Sequence, residues 1–276
     1  MEGAIHAYCI NLRHREDRWQ RFSSQPELEV FKQHFTFERF EAIKGTSVDL
    51  EKDKRISLRT KRNIKDHTRR DHEELDSAGG VGCYLSHVAI WKKFLERPEQ
   101  YAIVFEDDAN LLPGFTKSLL AAMKDVTLLP RMPDYWIFSA QHENYYENHG
   151  RPLPVTVPSL NYGPWTTQVC GVMTGYLITK AGAQKLLDNA FPIDMHVDMY
   201  ACLSSDLGHI LAVSHKSVRA FPYALKEQDT DIATDKSCPI CDVPTKYREK
   251  GMVLVSLPVA FLAVGSVLIL AYLGRR

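Results

Sequence analysis

The stretch of this 276-residue sequence best equipped for chemistry is Glu106-Asp107-Asp108, which closes the apolar run Tyr101-Ala-Ile-Val-Phe. Ile103 and Val104 are β-branched, so the run reads as a short buried strand. In open α/β sheets, ligands gather outside the carboxyl ends of strands. Side chains alternate along a strand, so Glu106 and Asp108 should point one way and Asp107 the other. Three acids beside an apolar core need compensation, because an unpaired buried charge is costly. A hard divalent cation, Mn²⁺ or Mg²⁺, would supply it, since such ions take oxygen ligands and often bridge to phosphates. The competing reading is a turn whose acids are solvated or cap the helix that follows Pro113.

Other groups could join these acids. Arg13, Arg15 and Arg18 follow a first strand, Ala4–Leu12, with Trp19 and Phe22 on a helical spacing. They could meet a phosphate or form a solvated helix face. Gly79-Gly80-Val81-Gly82 leads into a predicted helix, Cys83–Glu96, whose apolar stripe is Leu85, Val88, Trp91 and Leu95 and whose first turns carry Ser86 and His87. Glycines ahead of a helix N-terminus can cradle phosphate, but no Gly-Lys-Ser/Thr follows, so this is not a Walker loop. Asp194 and Asp198 would share a face if helical. Cys238-Pro-Ile-Cys241 has no second pair to complete a zinc ribbon, which leaves structural and redox roles open.

The elements that must position these residues alternate between strand and helix, which indicates an α/β sheet. Helices are expected at Glu27–His34, Pro113–Lys124 and Ala181–Ala190. Strands are expected at Phe35–Ala42, Tyr135–Ser139, Gly175–Thr179 and His209–Val213. The long stretch Gln141–Cys170, with Tyr145, Tyr146, Tyr162 and Trp165, reads as a folded binding loop. Nine Lys or Arg lie between Lys52 and Arg70, with acids directly after, and residues 51–78 are expected to be a mobile, solvated loop. No aromatics interleave for base stacking and the formal net charge is zero, so no nucleic-acid partner is expected. Six cysteines in this length do not make a disulfide scaffold.

Met252–Leu273 is a 22-residue run without a charge, flanked by Lys246, Arg248, Lys250, Arg275 and Arg276. As a helix it would span about 33 Å, enough for a bilayer core. It is expected to be a C-terminal transmembrane anchor, joined by a linker at 236–251 to a catalytic domain at 1–235. The N-terminal residues contain no basic segment followed by an apolar run, so no secretory signal is expected and the catalytic domain should face the cytosol.

Four features carry a family resemblance: Ile10-Asn11-Leu12 followed by Arg15, Asp17 and Arg18; Gly82-Cys83-Tyr84-Leu85-Ser86-His87 with Trp91; Glu106-Asp107-Asp108-Ala109; and Tyr176-Leu177-Ile178 followed by Gly182-Ala183, Leu186-Leu187 and Val197-Asp198. In this order and spacing, over residues 4–233, the sequence resembles glycosyltransferase family 25, which includes lipooligosaccharide and procollagen galactosyltransferases. Gln228 and Thr230-Asp231-Ile232 resemble the family's end motif, with Thr for a usual Ser. Ser139-Ala140 replaces a common Leu-Gly.

The resemblance implies a GT-A (Rossmann-like) fold, a UDP-sugar donor, Mn²⁺ and an inverting transfer to a hydroxyl of a glycan, protein or lipid-linked acceptor. It assigns Asp108, with Glu106 or Asp107, to the metal on the donor diphosphate. Asn11, Arg18 and the Ala42–Gly45 turn would lie near the nucleotide, and Ser86 and His87 would brace the donor site. Asp198 matches a second acidic site, with Asp194 as the competing choice; both, with Glu143, are candidates for the general base. A metal-dependent nucleotidyl or phosphoryl transferase and a catalytically silent, membrane-anchored binding protein are the alternatives.

Overall fold

The structure, a computed structural model, describes residues 5–69, 73–126, 129–138, 161–162, 164–166, 173–222 and 230–232. Its first strand, β1 (Ile5–Asn11), is buried along its whole length, as expected for a parallel strand with helices on both faces. It pairs in parallel with β2 (Thr36–Glu41) on one side and β3 (Tyr101–Glu106) on the other. Beyond β3 the sheet becomes mixed. β8 (Gly175–Thr179) runs antiparallel between β3 and β5 (Tyr135–Ile137), and β9 (Ala212–His215) is parallel to β5. The short β7 (Trp165–Thr166) and β6 (Asn161–Tyr162) finish the order β2-β1-β3-β8-β5-β9-β7-β6. A separate ribbon pairs β4 (Ala109–Leu111) with β10 (Ala220–Pro222).

Alternation along the strands sorts the core into two layers. Ile5, Ala7 and Cys9 of β1, with Ile103 and Phe105 of β3, pack under α1 (Glu16–Ser23), α2 (Pro26–Lys32) and α5 (Phe115–Asp125). Tyr8, Ile10, Ala102 and Val104 face the opposite layer of α4 (Ala78–Leu95), α6 (Lys180–Asp188) and α7 (Val197–Asp206). The chain therefore leaves β1 over one face and leaves β2 over the other. The carboxyl ends of β1 and β3 lie where these paths diverge, which is where open α/β sheets form a crevice.

Two expectations need correcting. Residues 51–69 are folded, not a mobile loop: they contain α3 (Leu58–Asp66), capped by Ser57, whose Oγ accepts from the Thr60 amide. The charges lie outside while Ile56, Thr60 and Asn63 are buried. Ile56 bridges to Ile193, Thr60 Oγ1 donates to the Ile193 carbonyl, and Asn63 donates to Glu74. Ion pairs, Arg55 with neighbouring Asp53 and Arg59 with Asp194 far along the chain, offset the density of charge. The second correction concerns α4, which begins at Ala78, so its glycines lie inside the first turns instead of in a preceding loop.

Those glycines permit close approach. A Cβ on Gly82 would sit 2.5 Å from the Ile43 carbonyl oxygen, and one on Gly45 would sit 1.7 Å from that of Ala78. The helix thus packs directly against the turn that follows β2. No helix among the described residues is long and apolar enough to cross a membrane. The 252–273 run, the 236–251 linker, Cys238, Cys241, Glu143, Ser139, Ala140, Tyr145 and Tyr146 lie outside the described residues.

Candidate functional site

A cleft with an empty volume of about 860 Å³, open solvent at its mouth included, lies at the carboxyl ends of β1 and β3. The size suits a small-molecule site. Its walls include Asn11, Arg18, Ala42, Gly45, Ser86 and all three acids of the 106–108 cluster. Ser86, wholly buried on α4, accepts from the Ile43 amide at 2.8 Å and donates to the Gly82 carbonyl at 2.7 Å. It therefore fixes the Ala42–Gly45 turn against the helix, and its own hydrogen-bonding capacity is used on backbone.

The three acids occupy different environments, and two point as strand alternation requires. Glu106 faces α4, where its Oε1 lies 3.2 Å from His87 Nε2 and 3.7 Å from Cys83 Sγ. Asp107 turns to the α1 side and accepts from Asn11 Nδ2 at 2.6 Å and from Arg18 Nη1 at 3.2 Å. Burial raises the Asp107 pKa, against the lowering effect of the Asn11 and Arg18 contacts. Asp108 has no such partners. Its Oδ1 is buried without a hydrogen bond, and burial followed by the charges of Glu106 and Asp107 pushes its pKa up to about 7. A buried, partnerless carboxylate oxygen beside two further acids is what a divalent-cation ligand looks like before the ion arrives, so the residues present fit such an ion.

The surrounding side chains are largely committed to holding these acids. Asn11 uses Nδ2 on Asp107 and the Arg15 carbonyl, and its Oδ1 accepts from Arg39 Nε at 3.0 Å. Its role is to fix Asp107, although it lines the cleft. Arg18 lies in the site and not on a solvated face, since only 8% of it is exposed. His87 is wholly buried, with Nδ1 3.0 Å from the Tyr176 hydroxyl, which also accepts from Trp91 Nε1 at 2.9 Å. A hydrogen-bond chain thus runs from Trp91 through Tyr176 and His87 to Glu106.

Asp198 opens α7 and accepts from the Met199 amide. Its charge acts on Glu106 and Cys83, which puts it within electrostatic reach of the cluster, and burial raises its pKa. Asp194 precedes the helix and pairs with Arg59 at 2.7 Å, so the expected shared helical face does not form.

The sequence matches the family model described as "Glycosyltransferase family 25 (LPS biosynthesis protein)" over residues 4–201. The chain belongs to glycosyltransferase family 25. Procollagen galactosyltransferase 1-A of Xenopus laevis is 28% identical over 189 residues, covering 67% of this chain and 28% of that protein. Procollagen galactosyltransferase 2 of Homo sapiens is 23% identical over 249 residues, 89% of this chain and 36% of that one. Inactive glycosyltransferase 25 family member 3 of Mus musculus is 33% identical over 110 residues, 40% of this chain and 17% of that one. This family-25 chain therefore matches only 17–36% of the length of these curated relatives. Among solved structures, apo mouse xyloside xylosyltransferase 1 covers 77% of this chain and 72% of its own at 10% identity and TM-score 0.34. A superposition that loose fixes no residue correspondence.

Three participants were given no site role from the sequence, although the family resemblance runs through Asp231 and Tyr176. Asp231 pairs with Arg15 and lies 3.9 Å from Arg18 Nη1. Its carbonyl oxygen would meet a Cβ on Gly79 at 1.9 Å, so the segment lies flush on α4. Arg39, on β2, reaches the Asn11 carbonyl-type oxygen across the strand pair. Tyr176, on β8, enters through the antiparallel strand. Each contact spans tens to hundreds of residues in sequence, beyond what local spacing can reveal.

Proposed function

We propose that this chain transfers a hexose, galactose or glucose, from a UDP-sugar to a hydroxyl of a glycan, protein or lipid-linked acceptor, with inversion in a single displacement. Membership of a glycosyltransferase family supports the reaction class and argues against a nucleotidyl or phosphoryl transferase. The observation that carries the reading is the partnerless, buried Oδ1 of Asp108 beside Glu106 at the head of the β1–β3 cleft. The β2-β1-β3 parallel half-sheet is the part of the fold that supports a GT-A arrangement.

In this reading Asp108 and Glu106 hold Mn²⁺ or Mg²⁺. Bound there, the ion supplies charge that neutralises the departing diphosphate. Asp107 is a positioning residue, because both its oxygens are engaged by Asn11 and Arg18. Arg18 offers its guanidinium toward the phosphates. The Ala42–Gly45 turn, pinned by Ser86, shapes the nucleotide wall. His87 orients Glu106. Asp198 takes the proton from the acceptor hydroxyl; its raised pKa brings it nearer the working pH, where a carboxylate is a more effective base. Asp194, tied to Arg59, is the weaker choice.

The deciding experiment is donor turnover by the full chain with UDP-galactose, UDP-glucose and GDP-sugars, each with and without Mn²⁺. Metal-dependent UDP release from one donor, lost in Asp108→Ala, is the expected result. One relative carries the name "inactive", which makes a silent binding protein the second reading; it predicts no turnover with any donor. We further propose that residues 252–273 anchor the chain with the transferase on the cytosolic side. Resistance of the membrane-bound protein to alkaline extraction, together with protease sensitivity in intact vesicles, is the expected outcome.

A further inference from the structure

Among the described residues, one group combines a thiol, an imidazole and a carboxylate. Cys83 and His87 are four residues apart on α4, so they share a helix face, and that face meets the end of β3 at Glu106. One ligand atom from each of the three lies within 4.8 Å of the other two. The Cys83 thiol and His87 Nε2 converge on the same carboxylate oxygen, Oε1. A His–Glu hydrogen bond alone would explain the buried His87, but it gives no reason for a thiol on that oxygen.

We propose that Cys83, His87 and Glu106 form a site for a thiophilic divalent cation of the Zn²⁺ class, beside the ion expected at Asp108 and sharing the Glu106 carboxylate with it. Thiolate and imidazole select Zn²⁺ over Mn²⁺ and Mg²⁺, which prefer all-oxygen shells. Metal-bound histidines usually donate their other ring N–H to a fixed acceptor, and the Tyr176 hydroxyl stands 3.0 Å from Nδ1 to accept it. Three protein ligands leave a fourth position facing the cleft, which Cys83 and Glu106 both line. On binding, the Cys83 proton leaves to solvent and the ring proton of His87 exchanges from Nε2 to Nδ1, so that Nε2 presents its lone pair. The free thiol is held protonated by burial and by the charges of Glu106 and Asp198, and the cation offsets that repulsion. The site does not depend on the chain being a hexosyltransferase.

Co²⁺ is the spectroscopic probe, titrated into the full chain carrying Cys238→Ser and Cys241→Ser so that the CxxC pair contributes no thiolate. The expected result is a near-ultraviolet thiolate-to-cobalt charge-transfer band that one equivalent of Zn²⁺ bleaches. Adding Cys83→Ser should abolish the band and weaken Zn²⁺ binding roughly tenfold or more, whereas adding Asp108→Asn should leave the band in place. No band before Cys83 is changed, a band that survives Cys83→Ser, or one lost in Asp108→Asn would each overturn the proposal. The first of these needs no variant at Cys83, so it decides the matter even if that substitution unfolds the protein. Failure here leaves donor turnover untouched, because that is read by UDP release.

Discussion

Asp108→Asn should make the metal-free protein more stable at alkaline pH while removing its response to Mn²⁺. Asparagine is a neutral isostere of the protonated acid. The wild-type carboxyl has a folded pKa near 7 against an ordinary 3.8, raised first by burial and then by Glu106 and Asp107. For a raised carboxyl the folded state holds its proton longer than the unfolded chain does. Wild-type stability is therefore intact below about pH 4 and falls as pH rises toward 7, where the loss levels off. The full shift corresponds to roughly 4 kcal/mol, and screening at the partly open cleft reduces it to roughly 2 kcal/mol. Urea unfolding in the presence of a chelator, at pH 3 and pH 8, measures the difference between the two proteins. The variant's advantage should be near zero at pH 3 and roughly 2 kcal/mol at pH 8. Saturating Mn²⁺ at pH 8 should then stabilise the wild type and leave the variant unchanged. An advantage equal at both pH values, or a variant less stable than wild type at pH 8, would refute the reasoning.

Three further outcomes follow from the packing. Arg18→Ala leaves Asp107 buried with Asn11 as its remaining side-chain partner and should lower unfolding stability at neutral pH by about 3 kcal/mol, a loss that shrinks as Asp107 is protonated in acid. Gly82→Ala forces a methyl to 2.5 Å from the Ile43 carbonyl; thermal unfolding should register a cost of about 1–3 kcal/mol, and displacement of the 42–45 turn should raise the KM for the donor more than it lowers kcat. Tyr176→Phe strips the acceptor from the Trp91 indole N–H and should cost about 1–3 kcal/mol. It also frees the His87 ring to change tautomer, which ¹⁵N imidazole shifts would detect; an unchanged ring spectrum would remove Tyr176 from the chain of contacts that orients Glu106.

Local pattern fixed much of this molecule, and distant contacts decided the rest. The apolar run ending in Glu106-Asp107-Asp108 was sufficient to predict a buried strand with acids at its carboxyl end, because strand period and burial depend only on adjacent residues. The same alternation correctly sent Glu106 and Asp107 to opposite faces. Motif order was enough to indicate the family. Charge density, in contrast, misled at residues 51–69: the few inward side chains, Ile56, Thr60 and Asn63, find partners at Ile193 and Glu74, and a count of lysines and arginines cannot see them. The glycines before Cys83 could have cradled a phosphate or formed a plain helix-leading turn until the approach of the Ile43–Gly45 backbone showed a packing requirement. The division of labour among the three acids was also invisible in sequence. Asn11 and Arg18 hydrogen-bond Asp107, His87 and Cys83 engage Glu106, and Asp108 is left desolvated and without a hydrogen-bond partner for its buried Oδ1. That asymmetry exists only because the sheet order brings β1 beside β3 and lays α4 across their ends, and the electrostatics of a carboxylate depend on what surrounds it in space.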